Sequence, residues 1–303
     1  MGFRLHKEPD LEAPVLIASW PGIGNIGLMA VDTLRALLGA ENLGEIEPWD
    51  FFYPKKLVIA SGELKDLEFP ASKFYFRRTG IRDLIFFVGE EQPAEGGGAY
   101  AQGTKAYQMA NLVLDVAMRF GCRRLYTSGA AVAPIHHTAR SRVWAVPNRA
   151  ELIPEIRQYP NTVLMSDVEG RGGQGNITGL NGLLLGVAKR RGLEAICVMG
   201  EIPAYLQGFP IPYPKASKSV LEVLTHALGI EIQTQGIDAL VQQSERDIER
   251  LYERLPTEIR EQLDKLRDAI RSESEEGGPI TEEDKKRILE DMDKFFKREP
   301  KGD

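Results

Sequence analysis

The stretch Val15-Leu16-Ile17-Ala18-Ser19-Trp20-Pro21-Gly22-Ile23-Gly24-Asn25-Ile26-Gly27 decides how the rest of the 303-residue chain is read. Its first six residues form a short apolar run stopped by Pro21-Gly22, which suits a buried strand. Met29–Leu38 then reads as a helix ending at Gly39. Apolar runs recur at Leu84–Val88, Leu125–Ser128, Val163–Met165 and Ala195–Met199. Helical patterns lie between them at Ala101–Phe120, Leu180–Arg191 and Ala216–Leu228. Apolar strands bracketed by helices predict an α/β domain with a mostly parallel sheet covered on both faces. Residues 51–78, broken at Gly62 and Pro70, read as strand–turn–strand and are expected as an antiparallel edge of a mixed sheet.

Beyond about residue 235 the period changes. Ile237, Val241, Ser244, Ile248, Leu251 and Leu255 step by fours and threes, as a heptad seam does. The seam resumes after Pro256 with Ile259, Leu263, Leu266 and Ile270, so Pro256 either opens a new helix or kinks a continuing one. Gly277-Gly278-Pro279 interrupts the pattern, and Thr281 can cap a last helix carrying Ile288, Leu289, Met292, Phe295 and Phe296. The chain therefore divides into a body, 1–235, and a charged helical extension, 236–303. The extension is expected to form a self-associated helical hairpin at an oligomer surface, a solvated single helix being the alternative.

Composition removes several classes of function. Hydrophobic residues make up 43% and charged residues 27%, an ordinary globular balance. No run approaches the roughly 20 apolar residues that span a bilayer. The opening residues lack the apolar core of a signal peptide. Cys122 and Cys197 cannot build a disulfide framework, which fits a reducing, cytoplasmic location. Residues 242–303 hold 14 Lys/Arg against 19 Asp/Glu, so five of the six net negative charges fall there. A near-neutral body has no basic excess to displace counterions from nucleic acid.

Gly22-Ile23-Gly24-Asn25-Ile26-Gly27 matches G-x-G-x-x-G between a strand and a helix, the arrangement that lets backbone approach a pyrophosphate. The ribose-binding acid expected about 20 residues on is undefined, because Glu41, Glu45 and Glu47 fall outside a clear second strand. A tight strand-to-helix turn packed on a neighbour is the stronger reading. A second glycine-rich loop, Gly170–Gly179, precedes a helix; its amides could hold an anion or a partner's carbonyls, and Thr178 could simply cap the helix. Glu90 and Glu201 each follow a glycine as an apolar run ends, where they could face one cleft as an acid–base pair or cation ligands, or merely stabilise turns. His136-His137 follows Pro134 in a loop, where a solvated pair is expected. No metal spacing, P-loop or placed nucleophile is present, so neither a metal nor another cofactor is expected.

Four blocks in order resemble the proteasome assembly chaperone family, of the second-chaperone type. They are Ser19–Gly27, Gly172–Gly182, Met199–Pro203 and Pro212–Ser217, spread over roughly residues 10–235. The resemblance implies a three-layer αβα domain similar to the nucleoside-phosphorylase architecture, in homo-oligomers that bind proteasome subunits without catalysis. It makes the Gly22–Gly27 turn a mark of the fold rather than a nucleotide site. Gly22, Gly24, Asn25, Gly27, Glu90, Gly175, Asn176, Gly179, Glu201 and Lys215 then line either a subunit interface or a strand-end crevice. The crevice belongs to the alternative reading, a small-molecule enzyme or sensor of phosphorylase-like or ATP-dependent ligase type. Several such chaperones end in a hydrophobic–tyrosine–any-residue tripeptide that docks between proteasome subunits. Pro300-Lys301-Gly302-Asp303 lacks that aromatic, so tail docking of this kind is not expected.

Overall fold

A computed structural model describes residues 2–94, 101–168 and 175–276. The break at 277–279, the last helix around Ile288–Phe296, the residues 170–174 of the second glycine loop and the terminal Pro300–Asp303 lie outside the described residues. Eleven strands occur among the described residues: β1 (Phe3–Leu5), β2 (Val15–Ser19), β3 (Glu41–Ile46), β4 (Lys56–Ala60), β5 (Glu63–Glu68), β6 (Ser72–Arg77), β7 (Leu84–Gly89), β8 (Arg124–Ala133), β9 (Val143–Pro147), β10 (Thr162–Leu164) and β11 (Glu194–Pro203). The α-helices are α1 (Ile26–Leu37), α2 (Gly103–Arg119), α3 (Ile153–Ile156), α4 (Gly179–Arg190), α5 (Pro214–Leu228), α6 (Gln235–Glu253) and α7 (Thr257–Glu276).

Nine strands form one mixed sheet in the order β1-β3-β6-β7-β2-β8-β11-β9-β10. Its centre, β7-β2-β8-β11, is parallel, with Ala18 level with Phe87 on one side and Thr127 on the other. These strands are the continuous apolar runs of the sequence because both their faces are covered. Ile17, Phe86, Tyr126 and Ile196 face α1, α5 and the seam of α6; Leu16, Phe87, Leu125 and Cys197 face α2 and α4. The result is three layers, helices–sheet–helices.

Three expectations need correction. Residues 51–78 are not a continuous edge: β6 enters the sheet between β3 and β7, because Phe74 and Phe76 have a core to fill. β4 and β5 instead pair only with each other, joined by Ser61-Gly62, both at positive φ as a two-residue hairpin turn requires. Glu41–Ile46, read as lying outside a strand, is β3, antiparallel to β1 and β6. Only Leu43, Gly44 and Ile46 in it are buried, too few to stand out by pattern. The heptad seam does not close on itself at the surface. α6 lies on α5, and Ile237, Ile248, Ile259 and Leu263 join the core on that side of the sheet. Pro256 separates two helices, its carbonyl receiving the N–H groups of Ile259 and Arg260.

Candidate functional site

The turn after β2 is shaped by packing. Trp20 stacks on Phe87 with ring centres 4.8 Å apart and lies so close over Gly89 that a Cβ there would fall 2.4 Å from the indole. The chain then tightens: Gly24 and Asn25 adopt φ of 58° and 51°, and the Asn25 N–H donates to the Gly22 carbonyl at 3.0 Å. α1 starts so near β8 that a Cβ on Gly27 would sit 2.4 Å from the Ser128 carbonyl. Gly22 has open space around it.

Gln92 joins this turn to the second glycine loop. Its Nε2 donates to the Pro21 carbonyl at 2.5 Å, and its Oε1 accepts the N–H groups of Leu180 at 2.9 Å and Ala101 at 3.2 Å. Gly179 holds φ of +73° directly beside the Gln92 amide, where a side chain would collide with it. Gly175 and Asn176 are exposed on the approach to α4. Glu90, two residues before Gln92, is also exposed; it accepts the Ala71 N–H and a bond from Lys55, each at 3.0 Å. The Ala71 N–H first, then the Lys55 ammonium, hold its carboxyl below the usual range. A pocket of about 380 Å³ opens here, lined by Pro21, Phe51, Phe52, Tyr53, Glu90 and Gln92 among others.

Glu201 stands three strands away from Glu90 in the sheet, about 14 Å at ordinary strand spacing. It is fully buried. Its carboxylate accepts Trp144 Nε1–H at 2.6 Å, the Arg142 backbone N–H at 3.0 Å and the Arg142 guanidinium at 2.9 Å. Lys215 shares none of these partners; its ammonium donates to the His137 carbonyl at 2.8 Å and pairs with Glu245 at 2.7 Å. The structure thus gathers the two glycine turns and Glu90 at one place, around Gln92, and engages Glu201 and Lys215 elsewhere.

A third polar group, His136 with His137, is one the sequence placed in solvent. His136 and His137 are 2% and 5% exposed, with rings 4.1 Å apart. The Tyr205 hydroxyl accepts the His137 N–H at 2.9 Å and lies 2.6 Å from its Nδ1, while Glu249 of α6 lies 3.2 Å from Nε2. Tyr252 packs on both rings. Burial, then the charge of His137, drives the His136 pKa down to about 4, and burial also lowers that of His137. The correction has a plain cause: helices more than 100 residues downstream cover a stretch that looks like an open loop in sequence. Gln92 likewise carried no sequence signal, since the two turns it joins, at Pro21 and Leu180, lie 71 and 88 residues from it in opposite directions along the chain.

The sequence matches the PAC2 family over residues 16–252. It is 28% identical over 242 residues to an uncharacterized protein of Methanocaldococcus jannaschii, spanning 80% of this chain and 84% of that one. The fold superposes on PbaB of Pyrococcus furiosus, an archaeal proteasome activator, with a TM-score of 0.67 and 27% identity over 82% of this chain and 97% of PbaB. PbaA of the same organism, an archaeal homolog of proteasome-assembly chaperone, shares the fold at a TM-score of 0.60 and 20% identity, covering 83% of this chain and 96% of PbaA.

Proposed function

We propose, from the premise that this chain belongs to the PAC2 family, that it is a proteasome-assembly-chaperone-like protein acting without catalysis. In this reading it is a cytoplasmic homo-oligomer whose αβα body, residues 1–235, meets proteasome subunits, with 236–303 as a helical extension whose described helices, α6 and α7, pack on that body. The observation that carries the reading is the match to PbaB over 97% of that chain. The site chemistry supports it. Gly24, Gly27 and Gly179 are explained by turn geometry and close packing. Glu201 is committed to Arg142 and Trp144, and Glu90 to Ala71 and Lys55, on separated strands. No helix among the described residues is long and apolar enough to cross a membrane.

Purified chain mixed with purified 20S particles, and separately with isolated proteasome subunits, tests the reading by native electrophoresis and sedimentation. A co-migrating complex, or a changed yield of assembled rings, is the expected result. Absence of both at tens of micromolar overturns it. A thermal-shift screen with nucleotides, nucleosides and phosphate covers the enzymatic alternative, since a ligand at 100 times its Kd stabilises by about 2.7 kcal/mol.

A further inference from the structure

The β4–β5 ribbon is amphipathic, and its apolar face is uncovered. Cross-strand partners are Lys56 with Glu68, Leu57 with Leu67, Val58 with Asp66, Ile59 with Leu64 and Ala60 with Glu63. Alternation puts Leu57 and Ile59 on one face. The register shift between Val58 and Ile59 sets Leu64, rather than Lys65, opposite Ile59. Leu57, Ile59, Leu64 and Leu67 therefore share a face, while Lys56, Asp66 and Glu68 occupy the other. Ile59 is 68% exposed, and Leu57 and Leu64 are more than half exposed. The patch continues past the ribbon's base. The Lys55 N–H donates to the Glu68 carbonyl; Tyr53, two residues before Lys55, is 86% exposed, and exposed Trp49 packs edge-on against Phe69.

We propose that this face is where two copies of the chain meet. The proposal rests on the homo-oligomeric reading above and names its contact surface. A two-stranded ribbon alone is marginal in water, and among the described residues this one has no sheet partner beyond itself. Trp49, Tyr53, Leu57, Ile59 and Leu64 together present roughly 700 Å² per copy, close to the ~800 Å² that a stable interface takes from each partner. A two-fold axis lays the same patch against itself. No net charge opposes that pairing: the face is apolar, and Lys65 at the shifted position leans on Glu63 at 3.4 Å. The charged face keeps its contact with water on either side of the pair.

Ile59→Lys combined with Leu64→Glu tests this, because it exchanges a cross-strand apolar pair for a cross-strand ion pair that keeps the ribbon paired. Light scattering and sedimentation of the full chain at micromolar concentration should find an oligomer for the parent. The double variant should dissociate at a concentration at least about 100-fold higher, with an unchanged circular-dichroism spectrum. Ile59→Cys supplies a second readout. Cys122 and Cys197 are buried, so a short bismaleimide should link subunits only through the introduced thiol. A double variant of parental mass, with no linked pair from Ile59→Cys, overturns this surface and leaves the oligomeric reading standing. A parent that sediments as a 33.8 kDa monomer overturns both.

Discussion

Two amphipathic excursions leave the αβα body, and they differ in what lies beneath them. The α6–α7 pair seats its apolar seam on α5 and the strand ends. The β4–β5 ribbon turns its apolar face to solvent. α6 is tied down along its length: Asp238 pairs with Lys218 at 2.7 Å, the Ser244 hydroxyl donates to the Pro212 carbonyl at 2.5 Å, Glu245 pairs with Lys215, and Glu249 reaches His137. Among the described residues the ribbon's ties to the body gather at its root, where Lys55 pairs with Glu90 and Glu91. Sequence pattern demands that each apolar face be covered, and the body supplies a groove for one of them only. The covered excursion is part of the domain's own stability; the uncovered one is free to meet another molecule.

Ile248→Ala should show the largest effect. It empties a buried position of the α6 seam and should cost about 3 kcal/mol in denaturant unfolding. Ile59→Ala in the ribbon should cost under about 0.5 kcal/mol in the dissociated chain. Equal losses would erase the distinction between the two regions.

Acid should act on the covered region next. Burial pushes the His136 pKa from the ordinary 6.5 down to about 4, so the folded state binds this proton more weakly than the unfolded chain. Stability from this depression is complete above pH 6.5 and is lost as pH falls toward 4, by about 2–3 kcal/mol. The groups facing the pair are Tyr205 and Lys215 from the body, Glu245, Glu249 and Tyr252 from α6, and Asp264, Arg267 and Asp268 from α7. Hydrogen-exchange protection, corrected for the intrinsic rate at each pH, should fall in α6 and α7 between pH 7 and 4.5 and not in the central strands. His136→Gln should flatten the pH slope; a slope unchanged in that variant would move its origin elsewhere.

Ser244→Ala removes one tie to the Pro212 carbonyl and should cost about 1 kcal/mol by thermal melting. Lys55→Ala should have the smallest effect. Lys55 pairs with Glu90 and Glu91 at an exposed site, so its loss should cost under about 0.5 kcal/mol. A larger drop there would mean that the root of the ribbon is more constrained than its exposure implies.

Much of the fold was legible in the sequence. The runs at Val15, Leu84, Leu125 and Ala195 became the parallel centre of the sheet because a strand buried on both faces has no polar alternation to hide it. The helix ends at Gly39 and Gly229 were legible because both glycines adopt positive φ, where a Cβ costs energy. β1, β3 and β9 were missed: they are short or half-buried, and their pairing partners are supplied by distant strands. At the site, the turn glycines were legible as a packed strand-to-helix turn. Gln92, Trp144 and the buried histidine pair were not.

By itself the sequence determined the layered α/β body, the glycine turn that opens α1, the break at Pro256 and an apolar seam beyond residue 235 that something must cover. These follow from local period and backbone freedom, which a few neighbouring residues carry. Tertiary structure alone decided which face was covered, that His136 and His137 lie beneath α6, that Glu201 is held by Arg142 and Trp144, and that Gln92 ties Pro21 to Leu180. Each of those depends on contacts between residues far apart in the chain, 112 positions in the case of His137 and Glu249. Hydrophobic period states that a surface must be buried; only the shape of the folded body supplies what buries it.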